Sequence, residues 1–351
     1  LSVYQYCPRA VEISQEYFDG ADSEESMHDL IIVGGGAAAL SSATYALGKQ
    51  LNVLIIYEQL GGKTNFHFTV RSEEDFLVGH ILVHLAFPEE KPVGESQFAG
   101  EETVHLFERQ IKARSGVALR DRVVGVSKIG DVFHVETEHH GFQHGRALIV
   151  ATGVAPRALD VPGAREFLGQ GLGYSPTTYA RLLDNKRAAV IGTSTRALRG
   201  AAELSRSAAH VYLVEPEPIK TTNPLLDVLR QRPNVEIFEG YKVLEVIGNS
   251  TVEHVVIERN GERRDLNVDA AFVDMGLQPN TGVVSHFVET DPDGFIVVDS
   301  RNATSLPGLF AAGDVTTAFG EQVLIAVGDG ARAGLSAYEY LLTKLLEEST
   351  E

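Results

Sequence analysis

The sequence holds one cysteine, Cys7, and no tryptophan among 351 residues. A single thiol closes no intrachain disulfide and builds no cysteine-based zinc cluster, so both are excluded. Methionine is nearly absent too, with two residues, a composition that suits a heat-tolerant source. Positive charge is scarce: 30 Lys and Arg against 48 Asp and Glu leave a formal net charge of −18. A surface of that sign repels nucleic acid and anionic lipid, so neither is an expected partner. No run approaches the ~18 apolar residues of a spanning helix, which argues against a membrane protein. The nearest stretch, residues 30–47, is interrupted by glycines and hydroxyl residues. Residues 1–28 carry Asp19, Asp22, Glu24 and Glu25 and lack the basic start and apolar middle of a secretory leader. A cytoplasmic location is therefore the expectation, with Cys7 an exposed thiol in an acidic arm.

What remains is a globular composition, 44% hydrophobic and 22% charged, of a length that suits about two domains. Asp29-Leu-Ile-Ile-Val33 reads as a buried strand. Gly34-Gly35-Gly36-Ala37-Ala38-Ala39 follows, then a small-residue helix to Gly48, a second strand over residues 52–57, and Glu58. Strand, glycine turn, helix, strand and acid in that order predict a dinucleotide-binding unit. Gly34 permits the tight turn, Gly36 admits a pyrophosphate to the helix N-terminus, and Ala39 lets helix and strand pack closely. Glu58 is placed to accept hydrogen bonds from a ribose diol.

The plan recurs with altered chemistry. Residues 187–191 read as a strand, Gly192-Thr-Ser194-Thr195-Arg196-Ala197 as the turn, and residues 198–207 as a helix. A strand over 210–214 ends in Glu215. Here Ser194 stands at the middle glycine, where a side chain crowds a pyrophosphate. Glu215-Pro216-Glu217 would repel the extra phosphate of NADP, while Glu215 suits the ribose of NAD. NADH, NADPH, a second flavin or no ligand all remain open for this unit.

Further along, residues 133–153 read as a hairpin leading into the Gly153 turn, and residues 101–114 as an amphipathic helix. A return crossing is expected over residues 272–280, and strands over 295–299 and 309–314. Residues 323–346 read as a helix whose Gly328, Gly330 and Gly334 allow close packing. The predicted fold is α/β, with two Rossmann-like domains in three layers, each a parallel sheet with an antiparallel hairpin layer. The expected boundaries are an N-terminal extension 1–28, a discontinuous first domain 29–155 and 277–346, a second domain 156–276 inserted into it, and a tail 347–351.

With Gly61-Gly62-Lys63, Ala151-Thr152-Gly153, Gly276-Leu-Gln-Pro-Asn280 and Gly308-Leu-Phe-Ala-Ala-Gly313-Asp314, the sequence resembles the low-molecular-weight thioredoxin reductase family of flavoproteins. The resemblance implies FAD in the first domain. It places Asp314 under the ribityl chain, the Gln322 and Val323 amides at the pyrimidine end of the ring, Ala151-Thr152-Gly153 close to the cofactor, and Val123 beside adenine. It also implies a homodimer. The family's Cys-x-x-Cys falls on Ser175 and Thr178, which cannot carry a redox disulfide. Ser175 reads instead as an N-cap before Pro176. Lys63 stands where the family has Gln, either stabilising reduced flavin or simply solvated. Residues 64–86 exceed the family length and either wall the ring or decorate the surface.

No metal site is expected. The densest histidine group, His139, His140 and His144, lies at a hairpin tip without an evident carboxylate partner and reads as an exposed turn. Two functions follow. One is a FAD oxidoreductase that works without a dithiol, exchanging electrons with a small acceptor, a low-molecular-weight disulfide or a redox protein. The other is a non-catalytic flavin sensor or interaction protein.

Overall fold

The computed structural model describes residues 27–66, 68–70, 117–192, 194–217 and 223–348. The expected helix over 101–114, most of the 64–86 segment, and the arm carrying Cys7 lie outside them. The described residues form two compact units: those within 1–65, 100–154 and 279–351 make the first, and those within 66–99 and 155–278 the second.

In the first unit, four parallel strands run in the order Val117–Arg120, Val53–Tyr57, His28–Val33 and Gly141–Val150. Leu309–Ala311 joins the last of these in parallel. Val132–Thr137 and Val123–Ile129 continue the sheet antiparallel beyond it. Near-continuous apolar runs are what a sheet covered on both faces requires. Leu30 and Ile32 pack toward the helix Ala37–Gly48 and the C-terminal helix Val323–Glu348. Ile31 and Val33 face Leu54, Ile56, Phe133 and Val135 on the other side.

The two helices meet through small residues. A Cβ added at Gly330 would lie 2.1 Å from the Ala38 carbonyl oxygen, and one at Gly334 2.9 Å from that of Ser42. Ser41 and Ser42 donate hydroxyl hydrogen bonds across the contact to the Val327 and Gly330 carbonyls. Gly328, expected to pack likewise, faces open space.

The second unit has a five-stranded parallel sheet in the order Val235–Glu239, His210–Glu215, Arg187–Ile191, Ala270–Val273 and Leu172–Gly173. A three-stranded antiparallel sheet, Lys242–Gly248, Val252–Arg259 and Glu262–Asn267, accompanies it. The helix Thr195–Leu204 starts at Thr195, three residues before the expected start, because Ser194 caps it.

Two expectations need correction. Residues 295–299 form no strand; Ile296 makes only isolated bridges, to Thr290 and Thr316. Phe66 and residues 68–70, placed by the sequence within the first domain, pack with the second unit. Phe68 and Val70 are buried there, the Phe68 ring 4.4 Å from Tyr179 and 5.3 Å from Phe272. Aromatic burial outweighs the chain's continuity with the Gly61–Gly62 turn.

Candidate functional site

In the first unit several turns gather at the C-terminal ends of the parallel strands. Gly34 adopts φ +131°, and a Cβ there would meet the Ala151 carbonyl oxygen at 2.2 Å. A Cβ at Gly35 would lie 2.3 Å from the Gln59 carbonyl oxygen. These two glycines are required by the protein's own packing. Gly36 differs: nothing lies within 4 Å of a Cβ built on it. It is the N-cap of Ala37–Gly48, with no side chain capping the helix and no acidic residue in the first turn. The amides of Ala37, Ala38 and Ala39 thus open the positive end of the helix dipole toward unfilled space, the arrangement a diphosphate needs.

The surrounding turns are tied to that corner. Gly61 donates its amide to the Gly35 carbonyl at 2.7 Å, and Gly62, at φ +52°, packs against Gly36. Thr152 donates its hydroxyl to the Asn280 carbonyl at 2.7 Å, while the Asn280 side-chain amide donates to the Thr152 carbonyl at 2.9 Å. Two motifs far apart in sequence therefore form one bracket. It leaves Gly153 at φ +66° with open space where a Cβ would project. Gly313, at φ +74°, sits against Ala38, and Asp314 follows it. Gln322 and Val323 begin the C-terminal helix, whose Ala326 amide bonds the Gln322 carbonyl.

Charged side chains complete the site. Lys63 donates to Asp314 at 2.9 Å and to Glu321 at 3.3 Å. Lys63 is nearly half exposed, and its charge is shared by these two carboxylates. Glu58 accepts from Arg122 at 2.9 and 3.0 Å, with both side chains about half exposed. Such a pair is worth little in water and yields to a competing donor. Val123, beside Arg122, opens its strand largely buried. The ion-pair partners Arg122 and Glu321 carry no local sequence signal; only tertiary pairing reveals them.

The second unit copies the backbone and changes the chemistry. Gly192, at φ +151°, would place a Cβ 2.0 Å from the Asp274 carbonyl oxygen, as Gly34 would against Ala151. Ser194, however, accepts the Ala197 amide on its own hydroxyl at 3.0 Å. That hydroxyl also lies 3.3 Å from the Asp274 carboxylate, which pairs with Arg196 at 3.4 Å. Where the first helix leaves its N-terminus open, this one caps itself, with Thr195 opening its first turn. Glu215 ends its strand wholly buried, with both carboxylate oxygens unpartnered among the described residues. Burial, with the Glu239 charge adding to it, pushes its pKa up to about 8.

Ser175 precedes the short helix Pro176–Tyr179, and Thr178 lies within it. Ser175 holds the N-cap position but makes no side-chain cap. Its Oγ instead lies 2.7 Å from Thr178 Oγ1, so the two hydroxyls bond each other. The hairpin histidines lie in an exposed turn, but with a carboxylate partner that the sequence did not show: His139 and His140 both bond Asp121, eighteen and nineteen residues upstream.

Two α/β units, each built as strand, glycine turn, helix, strand and acid, define a two-domain flavoprotein oxidoreductase whose first nucleotide corner fits FAD. The family model for pyridine nucleotide-disulphide oxidoreductases matches residues 28–330, and the chain belongs to that family. It is 33% identical over 318 residues to the F component of alkyl hydroperoxide reductase from Staphylococcus aureus (strain NCTC 8325 / PS 47), covering 90% of this chain and 59% of the relative. The Staphylococcus epidermidis counterpart of that component is 31% identical, with coverages of 91% and 60%. The chain thus spans about 60% of the length of these curated relatives. Among solved structures, thioredoxin reductase from Streptococcus pyogenes MGAS5005 superposes with a TM-score of 0.77 at 28% identity, covering 91% of this chain and 99% of that one. Thioredoxin reductase from Giardia duodenalis shares the fold, with a TM-score of 0.76 at 23% identity and coverages of 90% and 99%. No described helix is long and apolar enough to cross a membrane.

Proposed function

We propose that this oxidoreductase passes electrons from its flavin to an external acceptor without an internal dithiol, and that NADH is its donor. The observation that carries the first half is the Ser175–Thr178 hydroxyl pair, 2.7 Å apart where the resemblance places the redox cysteines. Two hydroxyls take up no electron pair, and Cys7 alone closes no disulfide. The relatives' names refer to thioredoxin and alkyl hydroperoxide reduction. An acceptor for this chain brings its own redox group, either as a small molecule, a low-molecular-weight disulfide or a redox protein.

FAD supplies the two-electron exchange when bound. The chain's own groups would hold it. The Ala37, Ala38 and Ala39 amides would take the diphosphate at the open helix end, and Glu58 would exchange Arg122 for ribose hydroxyls. Asp314 would accept a ribityl hydroxyl, with Lys63 offsetting its charge. The amides of Gln322 and Val323 present a helix start to the pyrimidine end, where positive potential stabilises negative charge. The choice of donor rests on Glu217, exposed two residues past the strand end: an ionised acid there accepts ribose hydroxyls and repels a ribose phosphate.

The test is anaerobic titration of the flavin-loaded chain with NADH and NADPH, followed by reoxidation with low-molecular-weight disulfides and non-thiol acceptors. Bleaching by NADH well ahead of NADPH, and reoxidation by an acceptor added alone, is the expected result. A flavin inert to both nucleotides overturns the donor assignment. Failure of every acceptor to reoxidise the reduced flavin returns the chain to the sensor reading.

A further inference from the structure

Asp121 lies between the strands Val117–Arg120 and Val123–Ile129, and its side chain is fully shielded from solvent. Its two oxygens are held from several sides. Oδ1 accepts the Arg122 amide at 2.8 Å, and Oδ2 accepts the amides of His139 and His140 at 3.0 and 3.1 Å. The ring Nδ1 of His139 sits 2.9 Å from Oδ1, and that of His140 2.6 Å from Oδ2.

An amide-organised turn explains the backbone bonds but leaves two side-chain features over. Both adjacent imidazoles converge on one buried carboxylate although their bodies are 69% and 51% exposed. The exposed Glu138 brings a second carboxylate, so that ligand atoms of Asp121, Glu138 and His139 all lie within 4.8 Å of one another. Zinc at bond lengths of ~2.0–2.1 Å spaces its ligands by roughly 3.3 Å, close to the separation already present between His139 and Asp121.

We propose that Asp121, Glu138 and His139 form a binding site for a divalent transition-metal ion of the zinc, cobalt or nickel class, with His140 orienting the buried carboxylate from its second oxygen. The ion takes the place of the proton that joins His139 Nδ1 to Asp121 Oδ1. That proton leaves to solvent, and water fills the remaining coordination position. One imidazole nitrogen with two carboxylates favours a borderline ion over magnesium or calcium, which prefer all-oxygen shells. The amides on Asp121 act as the outer shell that holds a ligating carboxylate in place. The chain's net charge of −18 draws cations toward it. The site does not depend on how the flavin is used.

Isothermal titration of the chelator-stripped, flavin-loaded full chain with zinc chloride, repeated with cobalt chloride, tests the proposal. The expected result is one ion per chain that E138Q and H139Q each weaken by about tenfold or more. H254Q removes another histidine–carboxylate pair, His254 with Asp265, which no third ligating group joins among the described residues, and should leave affinity unchanged. Absence of binding, or binding that E138Q and H139Q leave intact, overturns the site and returns the cluster to an organised turn. Glu138 lies at an exposed tip, so E138Q keeps the test valid should H139Q fold poorly.

Discussion

Glu215 sits in an environment at odds with its chemistry. A carboxylate without a partner in a dry interior stays neutral, and burial raises its pKa from 4.5 to about 8. The folded chain keeps this proton up to about pH 8, whereas the unfolded chain releases it above about 4.5. Between those limits the unfolded state binds fewer protons, so this group's contribution makes stability fall as pH rises and level off above the folded value. E215Q abolishes that term. Relative to the native chain it should gain on the order of a few kcal/mol between pH 5 and pH 8. Paired denaturant melts across that range read the difference directly, and parallel pH profiles would disprove the neutral acid. Ser194 presents the complementary case. Its hydroxyl occupies the Ala197 amide at the helix end where the first unit leaves Gly36 open. Glycine at an N-cap costs only a few tenths of a kcal/mol relative to serine. S194G should therefore leave the melting midpoint nearly unchanged while raising the rate of flavin reduction by NADH severalfold. An unaltered rate in stopped-flow would show that the serine is no obstacle.

At the scale of elements, the contact between Ala37–Gly48 and Val323–Glu348 decides whether the nucleotide corner keeps its shape. Alanine in a helix normally gains up to about 1 kcal/mol over glycine. At Gly330 the added methyl would meet the Ala38 carbonyl, backbone that cannot swing aside. G330A should lose roughly 1–3 kcal/mol and loosen the flavin, since Ala38 lies in the first helical turn, proposed above to take the diphosphate. G328A, toward open space, should be neutral or mildly stabilising. Urea midpoints of the two variants, with flavin retention measured on dilution, separate packing from propensity; equal effects at both positions would refute the close-contact account. The same contrast shows what the sequence discloses. Strand, glycine turn, helix and closing acid are local and legible in both units, because each step leaves a residue-level signature. Gly328 and Gly330 look alike in sequence, and only the partner helix tells them apart. Spacing does not link Asp121 to the hairpin histidines, because strand pairing is what unites them. Residues 295–299 read as a strand from their apolar run, yet the chain around Ile296 makes only isolated bridges, and periodicity cannot foresee pairing that never extends.

For the molecule as a whole, the governing quantity is its charge. With a net charge of −18, the field reaches far beyond any one ion pair, since the screening length is about 30 Å at 0.01 M salt and about 10 Å at 0.1 M. Electrons delivered directly from flavin to an external acceptor require that acceptor to diffuse up to the protein. A dithiol relay on the chain would hide this step, whereas its absence exposes the step to long-range electrostatics. Anions approach against the field and cations with it, so encounter rates respond to salt in opposite directions. Reoxidation of the reduced chain by the strongly anionic ferricyanide should accelerate as ionic strength rises from 0.01 to about 0.1 M, because screening removes repulsion. Reoxidation by the cationic hexaammineruthenium(III) should slow over the same interval. Stopped-flow rates of each acceptor across the salt series give both slopes, and K63Q, which lowers positive charge beside Asp314 and Glu321, should steepen each of them. If both acceptors respond identically to salt, electrons leave through a local route shielded from the protein's overall field, and the direct-transfer reading would need an internal carrier to replace the missing thiols.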